Sequence, residues 1–280
     1  MQGAQARWLP DGNRLHLHHG PIDMILGIEG AGRRAAFARA VARFGTLLEE
    51  LVTELPRLRS PGGADVTGEA ARRMVAAAAP FAPAFITPMA AVAGAGAETI
   101  LRAVLDGPGV RKAYVNNGGD VAFYIGPGEA MRVAIASPVP GHVTVQHGDP
   151  VRGVATSGAG GRSHSLGIAD AVTVLARDAA AADASATMIA NAVDLPGHPE
   201  IARVPACEIA PDSDLGAREV TRAVGVLTAA EVAEALEAGR AYAAGLAARG
   251  VIHAACLSLR GQCVTVGAVS MIEEREPEHA

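Results

Sequence analysis

Asp183 and Thr187, in the segment AlaAspAlaSerAlaThr, stand four residues apart. If the Ala-rich stretch from Ala179 is helical, this spacing puts a carboxylate and a hydroxyl on one face of its first turns. Oxygen ligands of that kind, completed by backbone carbonyls, waters and substrate phosphates, suit Mg²⁺, which binds through few protein groups. The same spacing also fits a plainer arrangement, in which Asp183 complements the helix dipole and Thr187 packs. A second device lies upstream, in ThrSerGlyAlaGlyGlyArgSer at 156–163. Gly158, Gly160 and Gly161 permit positive φ and close backbone approach to a ligand. The free amides of such a loop, with Thr156, the hydroxyls of Ser157 and Ser163 and the guanidinium of Arg162, suit an anion such as a pyrophosphate. A flexible Gly/Ser loop with no ligand fits the same residues. No Lys follows the glycines, so the loop is not a P-loop.

A third segment, AsnAsnGlyGlyAsp at 116–120, lies between LysAlaTyrVal and ValAlaPheTyrIle. Asn117-Gly118 is a strong hairpin signal, so the three pieces read as strand, turn and strand. A turn and nothing more would satisfy that pattern.

Taken in order, these segments resemble the ApbE superfamily. Its members carry an ATSG loop, an SVTV strand and an ADALAT helix start, matched here by AlaThrSerGly at 155–158, AlaValThrValLeuAla at 171–176 and AlaAspAlaSerAlaThr at 182–187. AsnAsnGlyGlyAsp is similar to that family's asparagine, GlyGlyAsp turn. The resemblance spans roughly 114–193 and is nearest to a branch without an export signal. It implies an α+β fold, a single domain over 1–280 built of duplicated T-fold-like antiparallel sheets with helices packed on them. It also implies FAD or FMN as ligand and Mg²⁺ held by Asp183 and Thr187. Asn117, Gly118, Gly119, Asp120, Thr156, Ser157, Gly158, Arg162 and Ser163 would then contact the cofactor. His164 is the titratable group best placed for proton transfer. Two family features are missing: a lysine-glycine pair ahead of a helix, and a HisIleIleAspPro-type segment.

The elements that must position these groups are legible in part. ArgLeuHisLeuHisHis at 14–19 alternates and 22–28 is apolar, which predicts a hairpin-like pair with His16 and His18 on one exposed face. Phe37, Val41, Phe44, Leu48 and Leu51 recur at helical spacing until Pro56. Asp65 or Thr67 is expected to cap a second helix running to about Ala79. Residues 87–105 are a small-residue entry into a helix, where Gly94 and Gly96 fall short of GxGxxG and let the backbone approach another segment or a bound nucleotide. Strands are expected at 131–136, 143–145 and 151–156, and irregular chain at 196–217. Thr228 and Glu231 form a capping box for a helix to about Ala248, a hairpin covers 251–266, and 271–280 reads as a solvated tail.

Composition narrows the functions. The 280 residues are 50% hydrophobic and 19% charged, as in globular proteins. Aromatic content of 3% and a net charge of -5 leave nucleic acid without stacking platforms or a basic surface. Three cysteines without CxxC spacing read as reduced thiols. No apolar h-region follows the start and no long uncharged apolar run occurs, so a cytoplasmic protein with no membrane segment is expected. Three functions fit: a protein binding a flavin nucleotide or related anionic metabolite in a Gly-rich cleft with Mg²⁺; a Mg²⁺-dependent enzyme moving FMN from FAD to a protein threonine; or a scaffold with a vestigial cleft.

Overall fold

The computed structural model describes residues 3–62, 65–136, 141–161, 164–267 and 272–273. In chain order its strands and helices are β1 (Gln5–Trp8), β2 (Arg14–His19), β3 (Ile22–Glu29), α1 (Arg33–Leu58), α2 (Glu69–Ala78), α3 (Val92–Leu105), β4 (Lys112–Asn117), β5 (Asp120–Ile125), β6 (Ala130–Ile135), β7 (Gly141–Gln146), β8 (Gly153–Ser157), β9 (Ala171–Ala176), α4 (Ala179–Ala192), β10 (Ile201–Pro205), α5 (Ala206–Ile209), β11 (Glu219–Val224), α6 (Ala229–Ala248), β12 (Ala254–Leu259), β13 (Gln262–Gly267) and β14 (Ile272–Glu273). Antiparallel strands with helices set between them make the class α+β, as expected. The chain forms two compact units: Met1–Glu129 with Gln146–Ala155 and Leu175–Ser185, and Ala130–Val145 with Thr156–Val174 and Ala186–Ala280.

In the first unit β1, β2, β3, β4, β5 and β8 lie side by side in that order. The alternation of β2 and β3 sets their register, with Leu15 opposite Leu26 and Leu17 opposite Met24, all four buried. His16 and His18 share the other, partly exposed face, where His16 Nε2 lies 3.1 Å from Asp23. Phe37, Phe44, Leu47 and Leu51 of α1 are buried, and α1 packs on α3. Residues 88–105, a 3₁₀ turn followed by α3, are long and apolar enough to cross a membrane by composition, but 61% of that stretch is buried inside the fold.

Two local expectations are corrected here. α1 does not stop at Pro56 but runs on to Leu58, which is fully buried, so core packing carries the last turn past the proline. α2 is capped neither by Asp65 nor by Thr67. Its N-cap is Gly68, and the buried Glu54 of α1 accepts from Gly68 N at 2.6 Å and from Thr67 N and Oγ1 at 3.1 and 3.0 Å.

In the second unit β9, β12 and β13 lie side by side, and α6 packs on β12 and β13. Thr228 caps α6 through the expected box with Glu231. Gly239 lets α6 approach, since a Cβ there would lie 2.3 Å from Val193 Cγ2 and 2.8 Å from Leu257 Cδ2. A separate sheet orders β14, β7 and β6. The stretch expected to be irregular instead contributes β10 and α5, with β10 paired antiparallel to β11. Of the expected solvated tail, all but residues 272–273 lies outside the described residues.

Candidate functional site

In the first unit the β4–β5 hairpin brings Asn117 opposite Asp120 across its turn, and both are buried. Gly118 and Gly119 take φ of 67° and 116°, which any larger residue adopts only under strain, and Asn116 Oδ1 accepts from Gly119 N at 2.9 Å. Asn117 Nδ2 donates to Ala93 O at 3.0 Å, tying the turn to the start of α3. There Gly94 N donates to Asp183 Oδ2 at 2.9 Å. A side chain at position 94 is excluded, because its Cβ would lie 2.2 Å from Ala179 O. Burial pushes the Asp183 carboxyl well above its ordinary range, and the nearby Asp120 carboxylate pushes the same way. The amides of Gly94 and Ala93 pull it back only in part.

The N-terminus of α4 is satisfied by other acids. Asp178 Oδ1 accepts from Ala181 N at 2.8 Å and Glu98 Oε1 accepts from Ala180 N at 2.7 Å. Asp183, the fifth residue of α4, is thus not its cap. Asp183 and Thr187 are both half-buried on α4, one turn apart.

In the second unit Thr156 Oγ1 lies 2.9 Å from Thr173 Oγ1, and Thr173 Oγ1 accepts from Ala136 N at 3.2 Å. Ser157 is half-buried and begins the turn through Gly158, whose φ is 153°. A Cβ on Gly158 would lie 2.5 Å from Asp170 O, and Ala159 N donates to Ala169 O at 2.8 Å. The loop at 156–161 is therefore pinned along its length rather than hanging free. Asp170 is held in turn, accepting from Arg260 N at 2.6 Å and donating its own amide to Ser258 O at 2.9 Å. Arg162 and Ser163 lie outside the described residues. His164 is exposed directly after them.

The first unit thus brings together Asn117, Gly118, Gly119, Asp120 and Asp183, and the second holds Thr156, Ser157 and Gly158. Such a pair of carboxylates suits a hard cation, and such a Gly turn suits an anion. The family model described as "AbpE bacteria" matches residues 6–265. This chain belongs to the ApbE family. Among its relatives, the UPF0280 protein of Methanothrix thermoacetophila is 41% identical over 115 residues, which is 39% of this chain and 46% of that one. The UPF0280 protein of Methanopyrus kandleri is 42% identical over 147 residues, 51% of this chain and 57% of that one. The chain spans about half the length of the curated relatives it matches. In three dimensions it resembles the crystal structure of Pseudomonas stutzeri flavinyl transferase ApbE, apo form, with TM-score 0.46 and 13% identity over 95% of each chain.

Sequence reasoning about this ApbE-family chain missed Glu98 and Asp178. One signal for Glu98 was present, a lone carboxylate in the apolar run of α3, since a buried charge needs partners. Glu98 pairs with Arg73 and with the α4 amide of Ala180.

Proposed function

We propose that this chain binds a flavin nucleotide or a related anionic metabolite together with Mg²⁺. Asp183 and Thr187 would be the cation's protein ligands. Asn117, Gly118, Gly119 and Asp120, with Thr156, Ser157, Gly158, Arg162 and Ser163, would contact the cofactor. The observation that carries this reading is the state of Asp183. Its carboxyl is pushed up by burial and by Asp120, and among the described residues Asp183 itself makes no ion pair with Arg or Lys. A divalent cation would supply the missing positive charge. Mg²⁺ in particular takes one or two carboxylates and completes its shell with waters and ligand phosphates, which fits an aspartate with a hydroxyl one helical turn on. Bound there, it would neutralise pyrophosphate charge. Asn117 would keep the α3 amides aimed at Asp183, and Gly158, where a Cβ would meet Asp170 O, would hold the loop against that backbone.

Family membership favours a second reading, Mg²⁺-dependent transfer of FMN from FAD to a protein threonine, with His164 moving the proton. Titration calorimetry with FMN and with FAD, in EDTA and in Mg²⁺, tests the binding reading. Mg²⁺ should raise affinity by about tenfold or more, roughly 1.4 kcal/mol, in the native protein and far less in Asp183→Ala. Equal affinities in the two buffers would remove the metal from the reading.

A further inference from the structure

The β12–β13 hairpin carries two of the chain's three cysteines, and their sulfurs lie 3.1 Å apart. Cys256 stands opposite Thr265 and Cys263 opposite Ser258, so the two are diagonal neighbours on one face of the hairpin. Cys256 is buried and Cys263 is exposed. We propose that Cys256 and Cys263 are a reversible dithiol–disulfide pair, closed by peroxide and opened by small thiols.

The sulfurs already sit at the roughly 3–3.5 Å separation from which attack proceeds. Exposure makes Cys263 the sulfur that meets the oxidant. Its thiolate attacks one peroxide oxygen; the S–O bond forms, the O–O bond breaks, and the departing hydroxide takes a proton from solvent as water. The sulfur of Cys256 then attacks the sulfenic sulfur of Cys263. The S–S bond forms, the S–O bond breaks, and hydroxide leaves with the Cys256 proton as a second water. Two thiols lose two electrons and one peroxide becomes two waters. Burial, together with the adjacent Cys263, pushes the Cys256 thiol up to about 12, so it stays protonated until the sulfenic acid forms beside it.

Diagonal positions explain why the bond would open again. Diagonal neighbours stand farther apart than directly opposite ones, whereas a relaxed disulfide wants its Cβ atoms about 3.5–4.5 Å apart. Closure must shear β12 along β13, and strained, exposed disulfides are the readily reduced ones. The same shear reaches the Gly loop. Ser258, two residues from Cys256, donates through Oγ to Ala171 O at 3.1 Å and accepts from Asp170 N, and Asp170 O packs against Gly158. Oxidation of the hairpin therefore loosens the anchor of residues 156–161.

The test uses the full chain treated with hydrogen peroxide, then with iodoacetamide under denaturing conditions, followed by intact mass and peptide mapping. The expected product has lost two hydrogens, contains a peptide linked between Cys256 and Cys263, carries one alkylated cysteine at Cys207, and reverts with dithiothreitol. Cys207→Ser should still form the link, and Cys263→Ser should leave Cys256 alkylatable. Recovery of Cys256 as an alkylated thiol beside Cys263 in sulfinic or sulfonic form would overturn the pair. Amide exchange supplies the second readout: Ala159 and Asp170 should exchange severalfold faster in the oxidised chain, and unchanged rates would overturn the link to the loop.

Discussion

Two acids in the first unit, the buried Glu98 and the half-buried Asp183, look alike until their neighbours are compared. Glu98 is raised chiefly by burial and further by Asp178, but Ala180 N and the Arg73 guanidinium hold it in a satisfied arrangement. Asp183 is raised by burial and by a second carboxylate, with only backbone amides to offset them. The first is structural; the second is left with a charge problem that a ligand can solve. This difference has a measurable sign. A carboxyl whose folded pKa lies above its unfolded value stabilises the fold at low pH and withdraws that stability as pH rises through the folded value. In EDTA the native protein should therefore lose stability relative to Asp183→Asn as pH climbs from the ordinary 3.8 through the raised folded value. Asparagine can still accept from Gly94 N, so the comparison isolates the charge. Added Mg²⁺ should restore the native protein and leave the variant unmoved. Urea unfolding from about pH 4 to about pH 8 measures it, and parallel curves with and without Mg²⁺ would sink the account.

At the scale of elements, what could be read in the sequence was what depends on neighbours in the chain. The β4–β5 hairpin follows from Asn117-Gly118, the α6 start from the Thr228 and Glu231 box, and the β2–β3 register from alternating leucine and histidine. What escaped depends on groups far apart. β10 and β11 pair across a Pro- and Gly-punctuated stretch, and Thr221 N reaches Ser165 O while the Arg203 guanidinium reaches Leu166 O and Asp194. No local pattern announces such partners. In the candidate site the acidic and glycine residues were legible as types, and the small-residue stretch at 87–105 as a place of close backbone approach, but not that the amides of Ala93 and Gly94 there receive Asp183. The start of α2 is the sharpest case, because its cap, Glu54, comes from the helix before it. Burial works to raise this carboxyl, yet the amides of Gly68 and Thr67 and the Thr67 hydroxyl hold it below the usual range. A lowered carboxyl contributes stability above its unfolded value of 4.5 and loses it as pH falls through the folded one. Glu54→Ala should cost about 2 kcal/mol at neutral pH, since it strands two helix-start amides. The deficit should shrink in acid, where native Glu54 is itself protonated. A deficit that held constant down to the acid limb would show that packing, not the charged cap, is what Glu54 supplies.

For the whole molecule the question is whether an ApbE-family chain with this set of residues turns over or only binds. The groups it keeps act on a ground state. The turn at 116–120 gives close backbone approach, and in the proposed binding role the loop at 156–161 would meet an anion and Asp183 a cation. The groups it lacks are those that would move protons or gain charge during reaction. Neither the family's pre-helix lysine nor its histidine, aspartate, proline segment is present. The sequence holds a single lysine, Lys112, and that one lies on β4 with its Nζ 3.0 Å from Glu29. His164 is exposed beside the loop and would have to serve alone as proton carrier. Loss of groups that act in the transition state lowers turnover more than affinity. Incubation with FAD, Mg²⁺ and a threonine-bearing acceptor peptide should therefore give little FMN adduct by mass spectrometry and little AMP release, while calorimetry still records Mg²⁺-dependent flavin binding. Rapid, stoichiometric flavinylation that disappears in Asp183→Ala would reverse this ordering, because it would mean that His164 and the retained segments suffice for transfer and that binding is only its first step.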